Sequence, residues 1–166
     1  AKAYIHLPDF LPIYLKSSKS ENRRVVETEY KIGKGGEIQS LTVKKGRRRV
    51  FNYKTGNLTL DPYTAVLFAR ALPWRVGQTR AFDVFTGSSR YLVYLKAEKK
   101  IKAQVGNEER DLLVIVPFVR KLTPGSHKKK LRKAEIYVTA DKYHHILQIK
   151  SKVFIGSIYI TFIDKK

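Results

Sequence analysis

The stretch from Leu131 to Asp164 constrains the fold most, because apolar and polar residues alternate along it with a period of two. Its first part has apolar residues at even positions, and after a polar turn at Asp141-Lys142 they fall at odd positions. This period predicts β-strands with one buried face. Beyond Gly156 the apolar set is even again, as Ile158 and Ile160 show. A change of parity at a glycine predicts a β-bulge in one long strand, and with it a curved, twisted antiparallel sheet.

Earlier segments also have the composition of strands. Residues 23–53 contain three short apolar segments separated by glycines, which predicts a meander of neighbouring antiparallel strands. Residues 1–22 carry prolines at positions 8 and 12, so we expect an extended segment or a sheet edge there. A long strand is predicted from Tyr91 to a turn at Gly106. The segment from Asp111 to Arg120 is apolar at odd and even positions, which predicts a central strand covered on both faces.

One helix is predicted over residues 62–72. Asp61 is a suitable N-cap, Pro62 fits the first helical turn and Pro73 ends the helix. Its apolar residues cover almost the whole circumference, so we expect it to be buried against or inside the curved sheet. The predicted fold is therefore mainly β, a curved antiparallel sheet or open β-barrel with one buried helix near residues 62–72. The length of 166 residues predicts a single domain over residues 1–166.

The chain is strongly basic, with 34 Lys and Arg against 14 Asp and Glu and a net charge of +20. Such a charge attracts polyanions of any kind, whether nucleic acid, anionic lipid or acidic polysaccharide. Basic clusters occur at residues 44–49 and 127–133, between segments predicted as strands. They therefore resemble charged hairpin loops rather than a basic helix that enters a major groove. The alternative is that these side chains only solvate the outer face of a sheet.

Catalytic and metal-binding patterns are weak. The sequence has no cysteine, so it has no thiol nucleophile and no thiolate metal site. It also lacks the nucleophile elbow, the P-loop and the dinucleotide fingerprint. The adjacent His144 and His145 are expected to point in opposite directions, so they cannot jointly chelate one ion. We therefore predict no enzymatic activity, no metal site and no cofactor.

The order of motifs from about Asp61 to Phe162 resembles the DUF3108 family of bacterial envelope proteins. The resemblance rests on DPYTAVLFARALPWRVGQ, on paired strands around Gly106 and on AEIYVTADKYHHILQIKSKVFIGSIYITF. It implies export to the periplasm or cell envelope after removal of a signal peptide, and an open, lipocalin-like or lipoprotein-carrier-like β architecture. It implies no reaction. Because the family usually begins with further strands, residues 1–22 are expected to start partway through a larger β-domain.

A curved sheet with an apolar concave face and a basic rim would suit an anionic amphiphile, lipid or lipopolysaccharide-like, or another envelope polyanion. The residues predicted to bind its head group are Arg47, Arg48, Arg49, Lys128, Lys129 and Lys130. Those predicted to line the apolar interior are Val66, Phe68, Trp74, Val114 and Phe118. One alternative is a structural envelope component that binds a partner protein. Another is a cytoplasmic β-domain that binds nucleic acid through its basic loops and strand aromatics.

Overall fold

A computed structural model describes residues 1–6, 11–21, 24–33, 35–123, 134–152 and 157–161. These residues form twelve strands and one short helix, so the protein is mainly β as the alternation predicts. The strands are β1 Lys2–His6, β2 Leu11–Glu21, β3 Arg24–Ile32, β4 Glu37–Lys44, β5 Arg47–Lys54, β6 Thr59–Leu60, β7 Thr79–Phe85, β8 Arg90–Val105, β9 Glu108–Lys121, β10 Ala134–Thr139, β11 Ile146–Lys152 and β12 Ser157–Thr161. The helix is α1, Pro62–Ala71.

The chain forms two compact units. Unit 1 consists of Ala1–Phe68, Phe82–Leu92 and Lys121–Thr123. Unit 2 consists of Ala69–Ala81, Val93–Arg120 and Pro124–Lys166. The chain therefore passes from one unit to the other several times. The single domain expected from the chain length stays a prediction.

Unit 1 contains a five-stranded antiparallel sheet in the order β1-β2-β3-β4-β5. This arrangement confirms the meander predicted for residues 23–53, and the described residues of the N-terminal segment form β1 and β2. Strands β4 and β5 are joined by a two-residue turn, Lys45-Gly46, in which φ is 51° and 73°. Positive φ at both positions is the requirement of a type I′ turn, whose twist matches that of the flanking strands.

One face of this sheet carries the core of unit 1. Leu15 of β2 lies opposite Tyr30 of β3, and both are buried together with Ile38 of β4. Phe85 at the end of β7 covers this face, and its ring meets that of Tyr30 edge to face at 5.0 Å. The hydroxyl of Tyr30 donates to the carbonyl oxygen of Phe85 at 3.1 Å, and the hydroxyl of Ser40 donates to that of Gly87. The end of β7 and the turn after it are therefore hydrogen-bonded to side chains of β3 and β4.

The second sheet has seven strands in the order β12-β11-β10-β9-β8-β7-β6. In it β6 and β7 are parallel, whereas the pairs from β9 to β12 are antiparallel. The residues from Leu112 to Val116 in β9 are all buried, which confirms the predicted strand covered on both faces. The core of unit 2 consists of Trp74, Ala97, Leu113, Ile115 and Val138.

The prediction of one long last strand with a bulge at Gly156 is wrong. Strands β11 and β12 are separate and antiparallel, with Lys152 opposite Ser157, so the chain reverses between them. Their register pairs Ile149 with Ile160, and directly opposed residues share a face of the sheet. Apolar residues with odd numbers in β11 therefore lie opposite apolar residues with even numbers in β12, which explains the change of parity without a bulge. Gly156 itself lies outside the described residues.

The helix begins where the sequence predicts, but it is not buried. Asp61 caps it, because one carboxylate oxygen accepts the backbone N–H groups of Tyr63 and Thr64 at 2.8 and 3.0 Å. The other oxygen accepts the hydroxyl of Thr64, and both residues are fully buried. This contact turns Thr64 inward, and Val66 lies about 200° farther round the helix. Val66 is consequently 47% exposed; Tyr63 and Leu67 are 47% and 44% exposed as well, which corrects the prediction of a buried helix.

Candidate anion-binding site

A groove of about 690 Å³ lies in unit 1, at the end of the five-stranded sheet where β4 turns into β5. We call it the basic groove. Its lining residues are Val26, Thr42, Lys44, Lys45, Arg47, Arg49, Phe51 and Ser88. Four of these residues are cationic and none is acidic.

The register of the β4–β5 hairpin builds the groove. Lys44 lies opposite Arg47 and Thr42 lies opposite Arg49, so these four residues share one face of the sheet. It is the same face that carries the core of unit 1, because the pairing continues with the same period to the buried Ile38. The structure thus brings two of the three predicted arginines together on the face that leads into the core.

Arg48 is separated from its neighbours in the sequence. It pairs with Val43 on the opposite face of the sheet, as successive residues of a strand must. Lys31 of β3 belongs to that opposite face too, where it pairs with Gln39. Arg48 is therefore not part of the basic groove, although all three arginines are exposed.

The positive charges of the groove are close together, and the described side chains provide no counter-charge for them. Lys44 and Arg47 are direct cross-strand neighbours, and like charges in that position are destabilising. The next residue, Lys45, has a positive φ, a backbone conformation that residues other than glycine seldom adopt. Among the side chains that the structure describes, none of the groove cations forms an ion pair with a carboxylate. Their charge is therefore available to a ligand.

Two further residues shape the groove. Phe51 is half-buried, and its ring is nearly parallel to that of Tyr53 with the centroids 6.3 Å apart. The hydroxyl of Thr42 is shielded from solvent and has no hydrogen-bond partner within the described part of the chain. The groove thus combines cations with an aromatic surface and one unsatisfied polar group.

The other predicted ligand residues that the structure describes do not line the basic groove. Lys128, Lys129 and Lys130 lie outside the described residues. Trp74 and Val114 are buried in unit 2, where the indole N–H of Trp74 donates to the carbonyl oxygen of Ala69 at 2.8 Å. Phe68 is half-buried, and its ring meets that of Phe82 edge to face at 6.2 Å. Val66 and Phe118 are 47% and 56% exposed, so neither has the interior position predicted for it.

The two adjacent histidines lie in the turn between β10 and β11, and both contact Arg70. The Nδ1–H of His144 donates to the carbonyl oxygen of Arg70 at 2.9 Å, and the guanidinium of Arg70 donates to Nδ1 of His145 at 3.2 Å. Asp141 holds the turn by accepting the backbone N–H of Tyr143 at 2.8 Å. Partial desolvation raises the pKa of Asp141, but its hydrogen bonds outweigh this and lower the pKa overall. These contacts give the turn a structural role.

Neither metal clusters nor membrane-spanning helices are found in the residues that the structure describes. No group of three or more His, Asp or Glu side chains there could hold a metal ion. No described helix is long and apolar enough to cross a membrane.

The sequence located the basic cluster of residues 44–49, but it gave no indication that Val26, Thr42 and Ser88 line the same groove. The period of two in β5 would have separated Arg47 and Arg49 from Arg48, and it would have placed Phe51 with the first two. Thr42 and Ser88 gave no comparable signal, because they join the groove only through strand register and through the turn after β7.

Comparison with known proteins links the chain to one family. The model of the family described as "Protein of unknown function (DUF3108)" matches residues 2–163 of the 166 residues. No match was found among curated proteins or solved structures.

Proposed function

Because the chain belongs to the DUF3108 family, we propose that it is a non-enzymatic protein of the bacterial cell envelope that binds the anionic head group of an amphiphile. The amphiphile would be a phospholipid or a lipopolysaccharide-like molecule. The observation that carries the proposal is the basic groove, in which Lys44, Lys45, Arg47 and Arg49 line one cavity without an acidic neighbour in the lining.

The groove has the chemistry that a phosphorylated head group requires. Arg47 and Arg49 are neighbours on one face, and guanidinium groups bind phosphate oxygens in a bidentate manner. Each cation near an anionic membrane surface contributes about 1 kcal/mol to binding. The side chains of Val26 and Phe51 offer an apolar surface beside the charges, suited to the first carbons of a lipid.

The acyl chains have no comparable place in the core of unit 1. Tyr30 and Ile38 are each only 1% exposed, and Phe85 is packed against them. The apolar interior expected to take acyl chains is thus occupied by side chains on this face of the sheet. We therefore propose that the groove recognises the head group while the acyl chains stay in the membrane or at the surface of the protein.

Vesicle binding tests this proposal with a matched control. The protein is sedimented with phosphatidylcholine vesicles that contain or lack phosphatidic acid. The double variant R47Q/R49Q should bind the anionic vesicles with about 2 kcal/mol less free energy, or about thirtyfold more weakly. The control K31Q/R48Q removes the same charge from the opposite face of the sheet. It should bind nearly as tightly as the wild type.

Several outcomes would overturn the proposal. Equal weakening of the two double variants would show that net charge, rather than the groove, attracts the vesicles. A wild type that ignores anionic vesicles but binds single-stranded oligonucleotide would favour the nucleic-acid alternative, in which bases stack on Phe51. Cell fractionation of the natural protein tests the location, and recovery from the cytoplasm instead of the periplasm would contradict it.

A further inference from the structure

The hydroxyl of Thr42 is an unexplained feature of the basic groove. Thr42 lies in β4 directly opposite Arg49. Its hydroxyl is shielded from solvent and has no hydrogen-bond partner among the described residues. A buried polar group without a partner is uncommon in folded proteins, and one explanation is an ion that completes its hydrogen bonding. Because Thr42 also lines the groove, a ligand bound there can complete the hydrogen bonding of this hydroxyl.

From this feature we propose that Thr42 determines the specificity of the groove, by donating its hydroxyl to an oxygen of a phosphoryl group. The groove would then select phosphate monoesters over carboxylates, whether the phosphoryl group belongs to a lipid or to a free phosphate. This inference rests on the proposed binding of an anionic head group and adds the chemical class of that group.

The number of oxygens and the charge both favour a phosphoryl group. A carboxylate has two oxygens, and one bidentate arginine uses both of them. A phosphate monoester has three terminal oxygens, so Arg47 and Arg49 can bind it while one oxygen accepts the hydroxyl of Thr42. Its charge of about −1.5 to −2 at neutral pH also suits a groove with four cations better than a single negative charge does.

Thr42 lines the groove together with Arg47 and Arg49, so an anion held by the two arginines lies beside this residue. Arg47 and Arg49 are long and exposed, so they can change rotamer and turn toward an anion. Thr28 lies directly opposite Thr42 on β3 and provides a neighbouring control position. Its methyl group is close to Gly87, where a Cβ atom would lie 2.1 Å from it.

The test measures binding of inorganic phosphate, sulfate and acetate to the full chain by isothermal titration calorimetry. T42V removes the hydroxyl and keeps the β-branched shape, T42S keeps the hydroxyl, and T28V is the control. We expect T42V to bind phosphate at least about tenfold more weakly than the wild type, with little change for acetate. T42S and T28V should bind phosphate as the wild type does. Sulfate, which also has more than two oxygens and two negative charges, should bind much as phosphate does, whereas a wild type that binds acetate as tightly as phosphate would overturn the inference.

The melting temperature without added anion provides a second readout. Because the hydroxyl has no partner, T42V should melt at or above the temperature of the wild type. A lower melting temperature would show that the hydroxyl has a structural partner, and unchanged phosphate binding by T42V would show that it does not touch the ligand. Either result overturns the inference.

The two proposals can fail separately. If R47Q/R49Q loses vesicle binding but T42V keeps full phosphate affinity, only the role of Thr42 is wrong. If the wild type binds inorganic phosphate through Thr42 but ignores vesicles containing phosphatidic acid, the amphiphile is wrong and the phosphoryl specificity stands.

Discussion

Replacement of Asp61 by alanine should destabilise the protein strongly, because this buried carboxylate begins the only described helix. Asp61 is fully buried and accepts the backbone N–H groups of Tyr63 and Thr64 at 2.8 and 3.0 Å. It also accepts the hydroxyl of Thr64, which is fully buried as well. The substitution therefore removes a helix cap and leaves a buried hydroxyl without its partner.

The expected loss of unfolding free energy is about 3 kcal/mol. Loss of an N-cap side chain costs about 1 kcal/mol. The unpaired hydroxyl of Thr64 costs a further 1–3 kcal/mol, roughly, because it stays buried. For a chain of this length the sum corresponds to a fall in melting temperature of about 10 °C. Asp61→Asn should lose less, since its amide oxygen can still accept the backbone N–H groups of the first turn.

Urea unfolding followed by circular dichroism and by fluorescence measures this loss. Trp74 is the only tryptophan, so fluorescence reports on unit 2 while circular dichroism reports on the whole chain. Asp111→Ala is the control, because it removes an exposed ion pair with Lys100 and should change stability little. A loss for Asp61→Ala no larger than that of the control would refute the reasoning. Coincident transitions by the two probes would support the single domain predicted from the sequence.

Two further predictions concern unit 1. Gly36 and Gly46 have φ of 81° and 73°, but a Cβ at Gly36 would lie 2.2 Å from the carbonyl oxygen of Thr55, whereas nothing lies within 4 Å at Gly46. In urea unfolding, Gly46→Ala should cost about 1–2 kcal/mol for the backbone alone and Gly36→Ala clearly more; equal losses would be inconsistent with this packing. Burial raises the pKa of Tyr30, so the folded state holds the phenol proton more tightly than the unfolded state. The stability of the wild type should therefore fall as the pH rises above about 10, where the unfolded state loses this proton. Tyr30→Phe loses the bond to the carbonyl oxygen of Phe85, worth about 1 kcal/mol at pH 7, but should show a flatter decline above that pH; parallel curves would argue against the assignment.

Local patterns predicted much of the secondary structure. The segments separated by glycines in residues 23–53 became β3, β4 and β5, and the Asp61-Pro62 pair marked the start of α1. The doubly apolar segment in residues 111–120 became the buried part of β9. These features follow from alternation, capping and turn chemistry, which act between residues close in the sequence.

Patterns failed where distant contacts decide the outcome. A bulge and a chain reversal both explain a change of parity, and only the pairing of Ile149 with Ile160 separates them. The apolar circumference of α1 predicted burial, but the contact between Asp61 and Thr64 orients the helix and leaves Val66 exposed. An apolar residue is not necessarily an interior one, because much of any protein surface is apolar.

The sequence by itself determined that this chain is a mainly β protein with one short helix, because strand period, helix caps and hairpin turns are encoded within a few residues. It also determined the high positive charge. Only the tertiary structure decided which charges act together, because strand register places Arg47 and Arg49 beside Lys44 and moves Arg48 to the other face. The same register lines the groove with Thr42, and the turn after β7 adds Ser88, which is far away in the sequence.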